Sequence, residues 1–234
     1  MSKNNLTTKT QRNEGETKER PILFSGEMIR AIIEGRKTQT RRVIKLRDFR
    51  PCYNVPGSDW YFRSKNGIWS DVSTSRLIER YCPYGKPGDR LWVRETWQAL
   101  VPTSILPIPN KFMKTQPMVS VMAYKATERL RFERSGGELF EGPWRPSIFM
   151  PRWASRILLE KTDTRVERLT DISKEDAKKK GAIPNTKYQS NFVPGQEYRF
   201  AFRDTWETIN GSGSWMINPW VWVIEFKVLE VRGG

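Results

Sequence analysis

Glu34-Gly35-Arg36-Lys37-Thr38-Gln39-Thr40-Arg41-Arg42 is the junction between two kinds of structure. Upstream, Met28, Ile29, Ile32 and Ile33 recur at helical spacing behind Ser25, which stands where a helix N-cap belongs. Gly35 falls where a helix ends in a left-handed residue. Downstream, Thr38 to Ile44 has the composition of a strand, and Pro21-Ile22-Leu23-Phe24 precedes the helix as a short apolar strand. In a strand from Thr38 to Val43 the side chains alternate, so Thr40 and Arg42 share one face and Arg41 takes the other. Lys37, at the hinge, can reach back over Thr40. A threonine hydroxyl is a weak nucleophile, and a lysine whose pKa is depressed by burial or neighbouring cations can act as its base. Arg42 can hold a carbonyl or phosphate oxygen through charge-assisted hydrogen bonds. From the spacing alone, a solvated basic strand edge with threonine chosen for β-propensity is the simpler account.

Working outward, Arg90-Leu91-Trp92-Val93-Arg94-Glu95 alternates apolar and charged residues after the tight turn Lys86-Pro87-Gly88-Asp89. It reads as a strand with Leu91 and Val93 on one face and Arg90, Trp92 and Arg94 on the other. Trp60-Tyr61-Phe62 and Gly67-Ile68-Trp69 read as two short strands joined by a turn, inside an insertion around 45–86. Residues 101–118 are proline-rich and read as a loop. Val119 to Lys125, Ser155 to Glu160 and Val166 to Leu169 read as strands, with a loop or short helical turn from Ser147 to Ala154. Ser173 caps a short helix whose acids come first and lysines last, the order that complements the helix dipole. A longer helix is expected from Glu197 to Ile209, with Tyr198, Ala201, Phe202, Thr205 and Trp206 on one face and Asn210-Gly211 at its end. Trp220 to Leu229 closes the chain as a β-prone strand.

Five or six strands with two or three helices, without the regular crossover helices of a parallel sheet, predict an α+β fold: a small β-barrel decorated by helices. Residues 1–20 are polar, lack apolar periodicity and read as a disordered arm ahead of a single domain over 21–234.

Composition narrows the chemistry. The 234 residues contain no histidine and only two cysteines, Cys52 and Cys82. That removes imidazole relays, a disulfide framework and a zinc site, and no cofactor is expected. Catalysis must then run on Lys, Thr, Ser, Glu, Asp, Tyr or Arg. No run approaches the ~20 apolar residues of a spanning helix, and the first 20 residues lack the apolar core of a secretion signal. A cytoplasmic protein without a membrane partner is expected. The formal charge is +15, which attracts polyanions. From Arg30 to Arg50 eight Lys/Arg face two acids, a local field that makes RNA, or DNA, the expected partner. Most of the ten tryptophans belong to the core, while Trp97 and Trp153, flanked by Glu95 and Arg152, are the candidates for stacking a base.

Gly35-x-Lys37-x-x-Thr40-x-Arg42 resembles the signature of ASCH domains, a PUA-like β-barrel superfamily. Gly88 to Trp97, Met150 to Arg156, Arg168 to Ser173 and Asn218 to Trp222 resemble the longer bacteriophage and prophage branch of that family, often labelled morphogenetic or uncharacterised. The resemblance runs from about residue 21 to 230. It implies binding of RNA or of a modified nucleoside such as an N4-acylcytidine, with amidohydrolase chemistry in which Lys37 activates Thr40 and a glutamate handles protons; some relatives resemble ribonucleases instead. Gly35, Arg36, Arg41 and Arg42, with Trp97, Arg152 and Trp153, would then face the ligand. The chain departs from the pattern at two places. Lys180 stands where relatives carry the acid, and Phe149 where they tend to carry histidine. Glu95 or Asp176 is then the substitute carboxylate, and Lys180 joins the binding residues. The alternative is a non-catalytic nucleic-acid-binding module, or a phage accessory protein that acts through a phage or host protein partner.

Overall fold

A computed structural model describes residues 17–45, 49–52, 59–102, 121–127, 139–141, 143–183 and 196–232. Most of the arm expected over 1–20 and of the loop expected over 101–118 lies outside the described residues. The chain runs β1 (Glu19–Leu23), α1 (Gly26–Ile33), β2 (Gln39–Val43), β3 (Phe49–Pro51), β4 (Trp60–Arg63), β5 (Trp69–Val72), α2 (Thr74–Tyr81), β6 (Arg90–Arg94) and β7 (Trp97–Pro102). It continues through β8 (Val121–Tyr124), β9 (Leu139–Glu141), β10 (Ile157–Arg168), α3 (Lys174–Lys179), α4 (Glu197–Asn210) and β11 (Trp220–Val231).

The expected mixed α+β class is observed, with more elements than anticipated. The main sheet has five strands in the order β1-β6-β10-β11-β2, and two three-stranded sheets, β3-β4-β5 and β8-β7-β9, flank it. β1 and β6 pair in parallel and the remaining pairs of the main sheet are antiparallel. β1 starts at Glu19, two residues before the expected start, because Glu19 and Arg20 pair with Arg90 and Leu91. α2 was not expected. Its signals were Ser73, whose hydroxyl accepts from the Arg76 N–H, and Leu77, fully buried beneath an otherwise polar helix. The two strands expected over 155–169 are one, which a register shift at Lys161/Asp163 carries past its polar interruption.

The first half of β11 shows why its sequence is a nearly continuous apolar run: from Val221 to Phe226 it is covered on both faces. Trp222, Ile224 and Phe226 join Ile22, Phe24, Leu91, Val93, Ile157 and Leu159 in the larger core, which α1 seals with Ile29 and Ile32. Val221 and Val223 point the other way, onto Phe202, Trp206, Ala177 and Leu169. α3 and α4 therefore form a second layer on that side.

Among the described residues the main sheet stays open. β1 and β2 lie at its two edges, and α1 carries the chain from one to the other. The edges meet through a side chain, because the Arg42 guanidinium donates to the Leu23 carbonyl and lies 5.3 Å from the Phe24 ring centroid. The turn before β6 is held by Asp89, whose carboxylate accepts the N–H groups of Lys86 at 3.0 Å and Lys18 at 3.1 Å. A Cβ at Gly85 would fall 2.1 Å from that carboxylate, so the turn requires glycine.

Candidate functional site

α1 ends as its sequence indicates. Gly35 has φ 73°, and the chain turns into β2 with the Lys37 N–H donating to the Ala31 carbonyl at 3.0 Å. The alternation expected in β2 is also observed. Thr40 and Arg42 pair with Ile224 and Trp222 and face the larger core, while Gln39 and Arg41 face α3.

Lys37 is the centre of the site. It is 1% exposed, and its Nζ donates to the carbonyls of Gln39 at 2.9 Å and Lys180 at 3.1 Å. Burial, followed by the nearby charge of Arg42, lowers its pKa to about 7. A neutral amine has two hydrogens and one lone pair. With both hydrogens given to carbonyls, the lone pair takes the remaining tetrahedral corner and is free to accept a proton; the Phe24 ring centroid lies 5.6 Å from the same nitrogen.

Lys180 is brought beside it by a backbone bridge between Lys37 and Lys180. The approach depends on Gly181, which has φ 78° and whose Cβ position lies 3.1 Å from Ala31 and 3.4 Å from the Lys37 side chain. Burial, followed by the charges of Lys37, Arg41 and Arg42, pushes the Lys180 ammonium well below the usual lysine range against the pull of Asp176. Its Nζ lies 4.7 Å from the Phe202 ring centroid.

Lys37 and Lys180 form part of the wall of a cavity of about 390 Å³ between α1 and α4, together with Arg30, Arg36 and Glu27. It shares Glu27, Arg30, Ile183 and Thr205 with a larger neighbouring chamber of about 790 Å³ that reaches Glu95, Thr96 and Lys125. Arg30 and Arg36 against Glu27 leave the smaller chamber with a net positive wall, receptive to anionic oxygens.

The expected site residues divide into three groups. Lys37, Lys180 and Arg36 meet at the cleft, although Arg36 also pairs with Glu34. Glu95 reaches the larger chamber but is 2% exposed and held by Arg156 in two bonds of 2.9 and 3.0 Å. Burial raises the Glu95 pKa despite those bonds. Thr40 and Arg42 face the core and line neither chamber.

Several expectations are corrected. Arg41 has no exposed side chain and is paired with Asp176 and Glu167, each at 2.8 Å, so it is unable to contact a ligand. Asp176 is not the substitute acid. It accepts from Gln39, Arg41 and Arg165; burial alone would raise its pKa, but those bonds outweigh burial and hold it low. Trp97 is 1% exposed and packs edge-on against Trp153 at 5.8 Å and 83°, so it has no free face for a base. Arg152 pairs with Glu19 at 2.6 Å, away from the cleft. Phe149 is 69% exposed and faces no described cavity. Glu27 and Lys125 line the cleft without any local sequence signal, since only tertiary packing assembles them.

No family model, curated protein or solved structure matches this chain.

Proposed function

We propose that the protein binds a small acylated nucleobase in the two-chamber cleft and hydrolyses its amide, with Lys37 as the general base. The observation that carries the reading is Lys37: a buried amine poised near neutrality, bonded to two carbonyls and forming part of the wall of a cationic cavity. The substrate class rests on the resemblance of Gly35 to Arg42 to the ASCH signature. In the same reading the five-stranded sheet is a PUA-like barrel whose seam is bridged by Arg42 rather than by a strand pair.

In this scheme water attacks the acyl carbon and Lys37 takes its proton. Arg36 holds the oxygen that becomes negative, with Lys180 as a hydrogen-bond donor. Lys37 passes its proton to the exocyclic nitrogen, which leaves as the amine, and the acyl group departs as carboxylate after losing the second water proton to solvent. Water is the nucleophile because Thr40 faces the core. Glu95 lines the larger chamber with its charge already paired to Arg156.

Release of cytidine from N4-acetylcytidine, followed chromatographically, tests this. Lys37→Met is expected to lower turnover by about 10²-fold or more. Absence of turnover by the wild type at high enzyme concentration sinks the hydrolase reading. Thr40→Val is expected to retain most activity, and a loss equal to that of Lys37→Met would return the nucleophile's role to the threonine hydroxyl.

A further inference from the structure

The small β3-β4-β5 sheet has one face on the core and one in solvent. Trp60 and Val72 are buried in the larger core with Phe49 and Phe62 packed against it. Register places Arg50 opposite Tyr61, Tyr61 opposite Asp71, and Arg63 opposite Trp69 on the outward face. An outward sheet face is ordinarily polar, yet this one carries two aromatic rings. The Arg50 guanidinium lies 4.3 Å from the Trp69 ring centroid and 5.2 Å from that of Tyr61. Arg50 and Arg63 are exposed, Trp69 is 36% exposed, and Lys65 stands in the adjoining hairpin turn.

We infer that this outward face is a stacking surface for single-stranded nucleic acid, separate from the cleft. Tyr61 and Trp69 are diagonal neighbours on adjacent strands, about 7 Å apart at this position of an antiparallel pair, so two successive unpaired bases can each meet a ring. Aromatic faces stack any base, and a guanidinium plane does the same. Arg50 already lies over the Trp69 ring, so little side-chain freedom is lost when a base joins it. Arg63 and Lys65 supply the charge that pairs with phosphates, and Asp71 is the one acid that register sets on this face. The net charge of +15 over the whole chain favours a polyanion over an acidic or neutral ligand. A duplex hides its base faces, so the surface discriminates against it.

Fluorescence anisotropy of end-labelled oligo(U) and oligo(dT), with a duplex of equal length as control, tests the assignment. The single strands are expected to bind, RNA and DNA alike, and the duplex about tenfold or more weaker. Trp69→Ala and Tyr61→Ala should each weaken binding about tenfold, Trp69→Ala without lowering the melting temperature, since Trp69 is exposed. Trp69→Phe should restore most of the affinity, and Arg63→Gln should reduce the log-log salt slope by about 0.7. Lys37→Met should leave binding unchanged, so that loss of cleft activity and loss of this surface are told apart. Absence of single-strand binding at low salt overturns the proposal. So does equal affinity of wild type, Trp69→Ala and Tyr61→Ala, or a duplex bound as tightly as the single strands.

Discussion

Between pH 6 and pH 9 the Lys37 amine changes from mostly charged to mostly neutral inside the folded protein, since its pKa lies near 7. Unfolded, the same lysine keeps its proton to about 10.4. Between those values the unfolded chain holds more protons than the native one, so stability rises with pH across that window. Lys37→Met removes a buried charge and is expected to stabilise the protein at pH 6 by about 2 kcal/mol, after allowance for the two carbonyls left unpaired. The gain should shrink toward pH 9, as chemical denaturation at the two pH values will show. Activity has the same origin with the opposite consequence for the mutant: turnover should climb as pH rises through about 7 and then level off, because only the neutral amine takes a proton. Glu95 is a different kind of residue. Its bidentate bond with Arg156 is buried on both sides, so Glu95→Ala should cost about 3–5 kcal/mol by stranding the guanidinium. A melting curve will separate that structural loss from any loss of turnover.

At the level of elements, α3 and the loop after it place Lys180 over Lys37. Ser173 caps α3 by accepting the Asp176 N–H at 3.0 Å, and Gly181 closes it with a positive φ. Ser173→Ala is expected to cost about 1 kcal/mol. Gly181→Ala should cost about 1–2 kcal/mol for the left-handed backbone, and more functionally, because its new methyl group meets Ala31 and pushes the Lys180 carbonyl away from Lys37. The signature of that displacement is a Lys37 titration shifted in the variant, visible in the pH–rate profile. α1, β2, α3 and α4 were all legible in the chain, because caps, glycine stops and apolar spacing act within a few residues. α2 was overlooked, since its strongly polar sequence carries one fully buried residue, Leu77. β7 was overlooked as well, since its end runs into the proline-rich segment.

For the whole molecule, a network of ion pairs ties the main sheet to its second layer. Arg41 on β2 and Arg165 on β10 both reach Asp176 and Glu167, and Arg165 also reaches Glu225 on β11. For Asp176, hydrogen bonds from Gln39, Arg41 and Arg165 outweigh burial and leave its pKa below the ordinary value. A carboxylate with a depressed native pKa contributes stability that is complete above its unfolded value of about 3.9 and is lost as pH falls through the native one. Acid unfolding should therefore set in below about pH 4, and Asp176→Asn should flatten the loss in that range, as denaturation midpoints measured against pH will show. The network also explains why Arg41, one of the four cations from Arg36 to Arg42, is unavailable to a ligand. Its charge was visible in the sequence, but the partners that neutralise Arg41 lie more than a hundred residues away.

The sequence by itself determined the strand, capped helix, glycine stop and strand around Gly35. It also determined the α+β class and the division of β2 into a Thr40/Arg42 face and an Arg41 face, because a period of two and a cap are local properties. Only the tertiary structure decided which face met the core, which cations kept a free charge, and that the Lys180 carbonyl would receive the Lys37 amine across 143 positions of chain. Those outcomes depend on the register of β2 against β11 and on the packing of α3 and α4 over it, and no short-range pattern of residues encodes either.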